Sequence, residues 1–191
     1  MGSSVDRMTT EWNPLLLEQL TWHWEYHLRP RLNGLEDDEY FWEPVPGAWN
    51  VRRRADADPK ISVGDKDFTV DFVTPEPRPV PVTTIAWRLA HIVVGVLGER
   101  VANHFDGPDI HYPTFAYAGT AKEALQQLDD GYERWIAGVR SLGEEGLARP
   151  CGPAEGPYAK HPFSALVLHI NREVIHHGAE VLLLRDLYRS R

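Results

Sequence analysis

The sequence predicts an all-α protein, a four-helix bundle with a small inserted loop or hairpin. Three observations predict it. Apolar residues recur at three- and four-residue steps along four long segments. Cap or breaker residues bound each segment. The one stretch with strand-like alternation, within residues 51–82, is too short and too polar to bury a core of its own. Several connections are long, so the bundle should carry crossover loops.

Asn13-Pro14 reads as the first helix start, with Asn as cap and Pro at the first helical position. Leu16, Leu20, His23 or Trp24, and His27 form its expected buried stripe, and Pro30 with Asn33-Gly34 closes it. Residues 35–42 form a helical turn, and the prolines and glycine of 42–49 make a loop anchored by Trp42 and Trp49. The insertion starts with the polar run Arg52-Arg53-Arg54, which could grip an anion but reads first as a solvated face. A hairpin is expected from Ile61 and Val63, through Gly64-Asp65-Lys66, to Phe68, Val70 and Phe72. Pro75, Pro77, Pro79 and Pro81 make the next segment extended and stiff. The second long helix starts at Thr83 or Thr84 and ends at Asp106-Gly107-Pro108. The third opens on a capping box, Thr120 to Glu123, and stops at Gly143. Residues 143–160 read as a Gly- and Pro-rich loop, and the fourth helix runs from near Pro162 to about Tyr188.

Composition bounds the function. The chain has 191 residues, which predicts one domain over 1–191, with 42% hydrophobic and 25% charged residues. Its 20 basic and 28 acidic residues give a formal charge of −8, which argues against a nucleic-acid groove. No apolar run reaches the roughly 18 residues of a membrane helix, and MGSSVDRMTTEW contains no apolar signal core. A single cysteine, Cys151, allows no intramolecular disulfide and no Cys-rich zinc site. A cytoplasmic protein acting on a small molecule is therefore expected, with a homodimer compatible with any bundle.

Chemistry concentrates in residues 168–187. On a helix, His169, Glu173 and His177 follow at four-residue steps over about 80° of the circumference. His176 and Glu180 adjoin that sector and Arg172 flanks it. Val167, Ile170, Val174, Ile175, Val181 and Leu182 fill most of the rest, so the helix is expected to be buried nearly all round. Its polar stripe must then find partners inside the protein. A cation is one such partner: carboxylate and imidazole one turn apart can both reach it. His91, isolated among Leu89, Ile92, Val93 and Val94 on the second helix, offers a third ligand and leaves positions open for water or substrate. The competing partner is an arginine, since Arg172, Arg88 or Arg185 can pair Glu173 as well as a metal can. In a rotated register Arg172 and His176 would face inward, and arginine binds no metal. Glu173-Val174-Ile175-His176 also matches half of a di-iron motif, but no second Glu-x-x-His exists.

The segments LLLEQLTWHWEYHLRPRLNGLEDDEYFWEPVPGAWNVR, WRLAHIV and HINREVIHHGAEV resemble the DinB-like four-helix bundle proteins. Their relatives include mycothiol-dependent maleylpyruvate isomerases and bacillithiol S-transferases. Many members carry two histidines four residues apart on the last helix. Here Glu173 stands at the first of these positions, a departure shared with the mycothiol-dependent isomerases. The resemblance implies a divalent metal at His91, Glu173 and His177, with zinc or nickel first and iron as the alternative, and a low-molecular-weight thiol cofactor. His169, His176, Arg172 and Glu180 would orient the ligands by hydrogen bonds or line the substrate pocket. The implied activity is thiol-dependent transfer or isomerisation, with no catalytic residue assigned. The rival is a non-catalytic binding or stress module whose His, Glu and Arg side chains form a metal-free internal network.

Overall fold

The structure is a computed structural model that describes residues 10–191. The N-terminal stretch that lacks a signal core lies outside the described residues as far as residue 9. Helix α1 runs continuously through Trp12–His23, a π-helical stretch Trp24–Leu28, and Arg29–Arg31. A short helix α2, Asp37–Tyr40, comes next. Strands β1 (Val51–Arg53), β2 (Ser62–Val63) and β3 (Phe68–Asp71) form the insertion. Helix α3 comprises Ile85–His91, a π-helical stretch Ile92–Gly98, and Glu99–His104. Helices α4 (Ala121–Ala148) and α5 (Phe163–Arg189) complete the bundle. Leu20, Leu28, Leu89, Ile92, Leu97, Leu128, Trp135 and Val174 from the four long helices share one contiguous core.

Two caps lie where the sequence places them. Thr84 Oγ1 accepts from the Trp87 backbone N–H, and Thr120 Oγ1 accepts from that of Glu123. The capping box is displaced by one residue on its return side: the Glu123 carboxylate accepts from the Gly119 N–H. The first helix departs from expectation. It starts at Trp12, and Asn13 is no cap: it is buried, and its amide donates to Val139 O across the bundle at 2.8 Å. Its stripe is Leu16, Leu20, Trp24, Leu28 and Leu32, with His27 exposed and His23 half-buried. Strict four-residue steps drift around an α-helix by about 40° each. The π-helical stretch at Trp24–Leu28, with its wider turn, takes up that drift and keeps the leucines on the core.

The hairpin forms as expected and gains a strand. Val51–Arg53 pairs antiparallel with Phe68–Val70, giving the order β1-β3-β2. The arginine run is thus not a solvated face. Arg52 Nε lies 3.0 Å from buried Asp71, Arg53 stacks over Phe68, and Arg54 donates to Asp65 O. Trp49 is buried against Trp87, and Trp42 packs on Tyr188, so both loop tryptophans are anchors. The third long helix breaks at Gly143 (φ 58°) as expected, then resumes to Ala148. Helix α5 is not buried all round: Leu168, Leu183 and Leu187 face outward. Arg185, fully buried on α5, makes a paired contact with Glu39 of α2 at 2.7 and 3.1 Å and donates to Arg31 O and Asn33 O. This lock ties the end of α5 to the turn after α1.

Candidate metal centre

The register of α5 is settled by exposure. Arg172 and His176 side chains are 69% and 62% exposed, against 25% for Glu173 and 11% for His177. The inward stripe is therefore Glu173 and His177. Helix α3 packs beside it and brings His91 against His177, ring centroids 4.8 Å apart and edge to face. Glu173 Oε2 lies 3.5 Å from His177 Nε2. His91 is placed by the last α-helical turn before the π-helical stretch, and Trp87 stacks on its ring at 5.4 Å.

Each imidazole is fixed from outside. His91 Nδ1 hydrogen-bonds the Tyr112 hydroxyl at 2.8 Å, which leaves Nε2 as its other nitrogen. Burial, with His177, Arg88 and Arg100 nearby, pushes the His91 pKa down to about 3. At neutral pH it is a neutral lone-pair donor. His177 Nδ1 lies 2.7 Å from Glu180 Oε2. The carboxylate accepts from Nδ1–H, which leaves Nε2 as the other ring nitrogen. Arg88 Nη1 also approaches His177 Nδ1 at 3.4 Å. A guanidinium cannot donate to a nitrogen that is itself protonated, so the shorter Glu180 contact governs. Arg88 Nε instead neutralises Glu180 at 3.0 Å.

His177 Nε2 faces a Glu173 carboxylate oxygen at 3.5 Å, longer than a good hydrogen bond. The neutral His91 ring lies against the same imidazole. Two imidazoles and a carboxylate, each His held by a partner on one ring nitrogen, are donor types that suit a divalent cation. The remaining expected residues lie around this set. His169 Nδ1 and Arg172 Nε both lie 3.4 Å from Glu173 Oε1, and Arg172 Nη2 donates to His169 Nδ1 at 2.7 Å.

Among the described residues, the set whose ligand atoms all lie within 4.8 Å of one another is His176, His177 and Glu180, and not the expected His91, Glu173 and His177. It suits a cation less well. It would engage Glu180 beside the Arg88 guanidinium, and His176 is exposed. His23 and His27 lie on α1, stacked on each other at 5.9 Å, and take no part. Cys151 is buried, donates to Pro162 O at 3.5 Å, and has its thiol pKa raised by burial and Glu155. It is no nucleophile.

Sequence reading missed Tyr112, which lies in an aperiodic loop, and gave Arg88 only as an alternative partner of Glu173. Arg88 stands three residues before His91, one helical turn, and that spacing was the available signal. Among the described residues, no helix is long and apolar enough to cross a membrane. Comparison with curated proteins and with solved structures gives no match. A family model described as the DinB superfamily matches residues 66–181, more than half of the chain. The match spans α3, α4 and most of α5, and so includes His91, Glu173 and His177. The chain belongs to the DinB superfamily.

Proposed function

We propose that this protein is a metal-dependent enzyme acting on a small molecule, with His91, Glu173 and His177 holding a divalent ion, zinc or nickel before ferrous iron. One observation carries the reading: both imidazoles are anchored through Nδ1, by Tyr112 and by Glu180, while His177 Nε2 faces the Glu173 carboxylate at 3.5 Å. An ion bound there supplies Lewis acidity, which lowers the pKa of a bound thiol or water.

The chain's own residues prepare that chemistry. Burial keeps His91 neutral, so no proton competes for its nitrogen near pH 7. Glu180 fixes the His177 tautomer, and Arg88 balances the Glu180 charge inside the protein. Three protein ligands leave open positions, the arrangement of catalytic sites and not of structural ones. The resemblance to mycothiol-dependent isomerases favours thiol-dependent transfer or isomerisation over hydrolysis; the residues themselves do not select between them.

Arg88, 3.0 Å from Glu180, favours a second reading, a metal-free polar network in a binding module. Elemental analysis of purified, untagged protein separates the two. The enzyme reading expects about one divalent ion per chain, lost in His91→Ala. Metal-free protein whose stability chelators leave unchanged would establish the network instead.

A further inference from the structure

A cleft of about 620 Å³ runs between the start of α5 and the turn formed by Pro153–Tyr158. Ala165, Leu166 and Pro157 give it apolar walls, and Arg100, His169 and Arg172 line it as well. Two of these residues adjoin the proposed metal set: His169 and Arg172 both lie 3.4 Å from Glu173, which does not itself line the cleft.

Its polar lining is rich in donors. Arg172 Nη2 donates to His169 Nδ1 at 2.7 Å, so Nε2 is the ring nitrogen left for a ligand. The Arg172 side chain is 69% exposed and keeps N–H groups beyond those facing His169 and Glu173. The one carboxylate in the lining, Glu155, is 7% exposed and turned inward to His104 Nε2 at 2.9 Å and Arg100 Nε at 3.5 Å. The cleft therefore presents guanidinium donors and an imidazole nitrogen to a ligand, while its only acid is already paired. An acidic chain of net charge −8 places cations around this opening.

We propose that the cleft binds a small organic carboxylate, its carboxylate on Arg172 and His169 and its apolar body along Leu166, Ala165 and Pro157. This gives the substrate class of the proposed enzyme; as substrate assignment it rests on the metal reading, whereas binding itself does not. An arginine guanidinium recognises a carboxylate by charge-assisted hydrogen bonds, which a neutral amide of the same shape cannot match.

Calorimetric titration with 3-phenylpropionate and with 3-phenylpropionamide tests the assignment. The acid should bind at least tenfold more tightly than the amide. Arg172→Met, at an exposed position, should lower acid affinity to that of the amide with an unchanged circular dichroism spectrum. His91→Ala removes a proposed metal ligand outside the cleft and should leave acid affinity within twofold. Equal binding of acid and amide, or an Arg172→Met variant that binds the acid normally, would overturn the proposal. So would loss of acid binding in folded His91→Ala, which would put the anion on the cation. Metal content unchanged in His91→Ala would instead sink the metal reading and leave the cleft standing.

Discussion

Replacing Tyr112 by Phe isolates the outer support of His91. The substitution removes one hydroxyl, 2.8 Å from His91 Nδ1, and keeps the ring that stacks on Phe72 at 5.0 Å. Loss of a partly buried hydrogen bond costs about 1 kcal/mol, so the fold should survive. The His91 ring is then free to turn and to change tautomer, and loss of such an orienting partner typically costs 10–100-fold in metal affinity. Gly95 gives an independent handle on the same hydroxyl. A Cβ there would sit 2.3 Å from the Tyr112 oxygen, against 3.1 and 3.2 Å from the nearest ring carbons. Gly95→Ala must therefore push the hydroxyl away from His91. Metal affinity, measured by chelator competition across the four-member double-mutant cycle, should show both single variants weakened and the pair less than additive. Tyr112→Phe with affinity within twofold of the parent would refute the orienting role, as would strict additivity with Gly95→Ala.

The same geometry sets three more outcomes. Glu180→Gln should weaken metal binding about 10–100-fold, because the His177 tautomer is no longer enforced, and isothermal titration with zinc measures this. Glu39→Gln should destabilise the fold by about 3–5 kcal/mol in urea unfolding, since it leaves the buried Arg185 guanidinium without its carboxylate. In chelator-treated protein, stability should fall as pH drops from about 6.5 toward 3. His91 is held at about 3 in the folded state against an ordinary 6.5, so unfolding takes up a proton across that window. The contribution is about 1.4 kcal/mol per pH unit, absent above the window, and His91→Gln should flatten it.

Most of the frame and part of the centre were legible in the residues. Thr84 and Thr120 announce their helices because a hydroxyl cap acts within three residues. The stripe Glu173 and His177 follows from helical spacing alone, and His91 from being an ionisable group in an apolar turn. The features that escaped depend on partners distant in sequence. Arg52 and Arg53 look like a solvated run until Asp71 and Phe68 meet them across the sheet. Arg185 reads as an alternative partner for Glu173 until Glu39, far back in the chain, takes it. Tyr112 lies in a loop without periodicity, where no spacing points to His91. The π-helical stretches in α1 and α3 leave no pattern distinct from ordinary helix, yet one keeps α1 on the core and the other begins immediately after His91.

The most direct measurement is an anomalous difference map from crystals of metal-loaded protein, collected at the zinc or nickel edge. A metal centre at His91, Glu173 and His177 predicts one peak about 2.0–2.2 Å from a nitrogen of each histidine and an oxygen of the carboxylate. A peak on His176 and Glu180, or none with the Arg88 guanidinium filling the place, would contradict it.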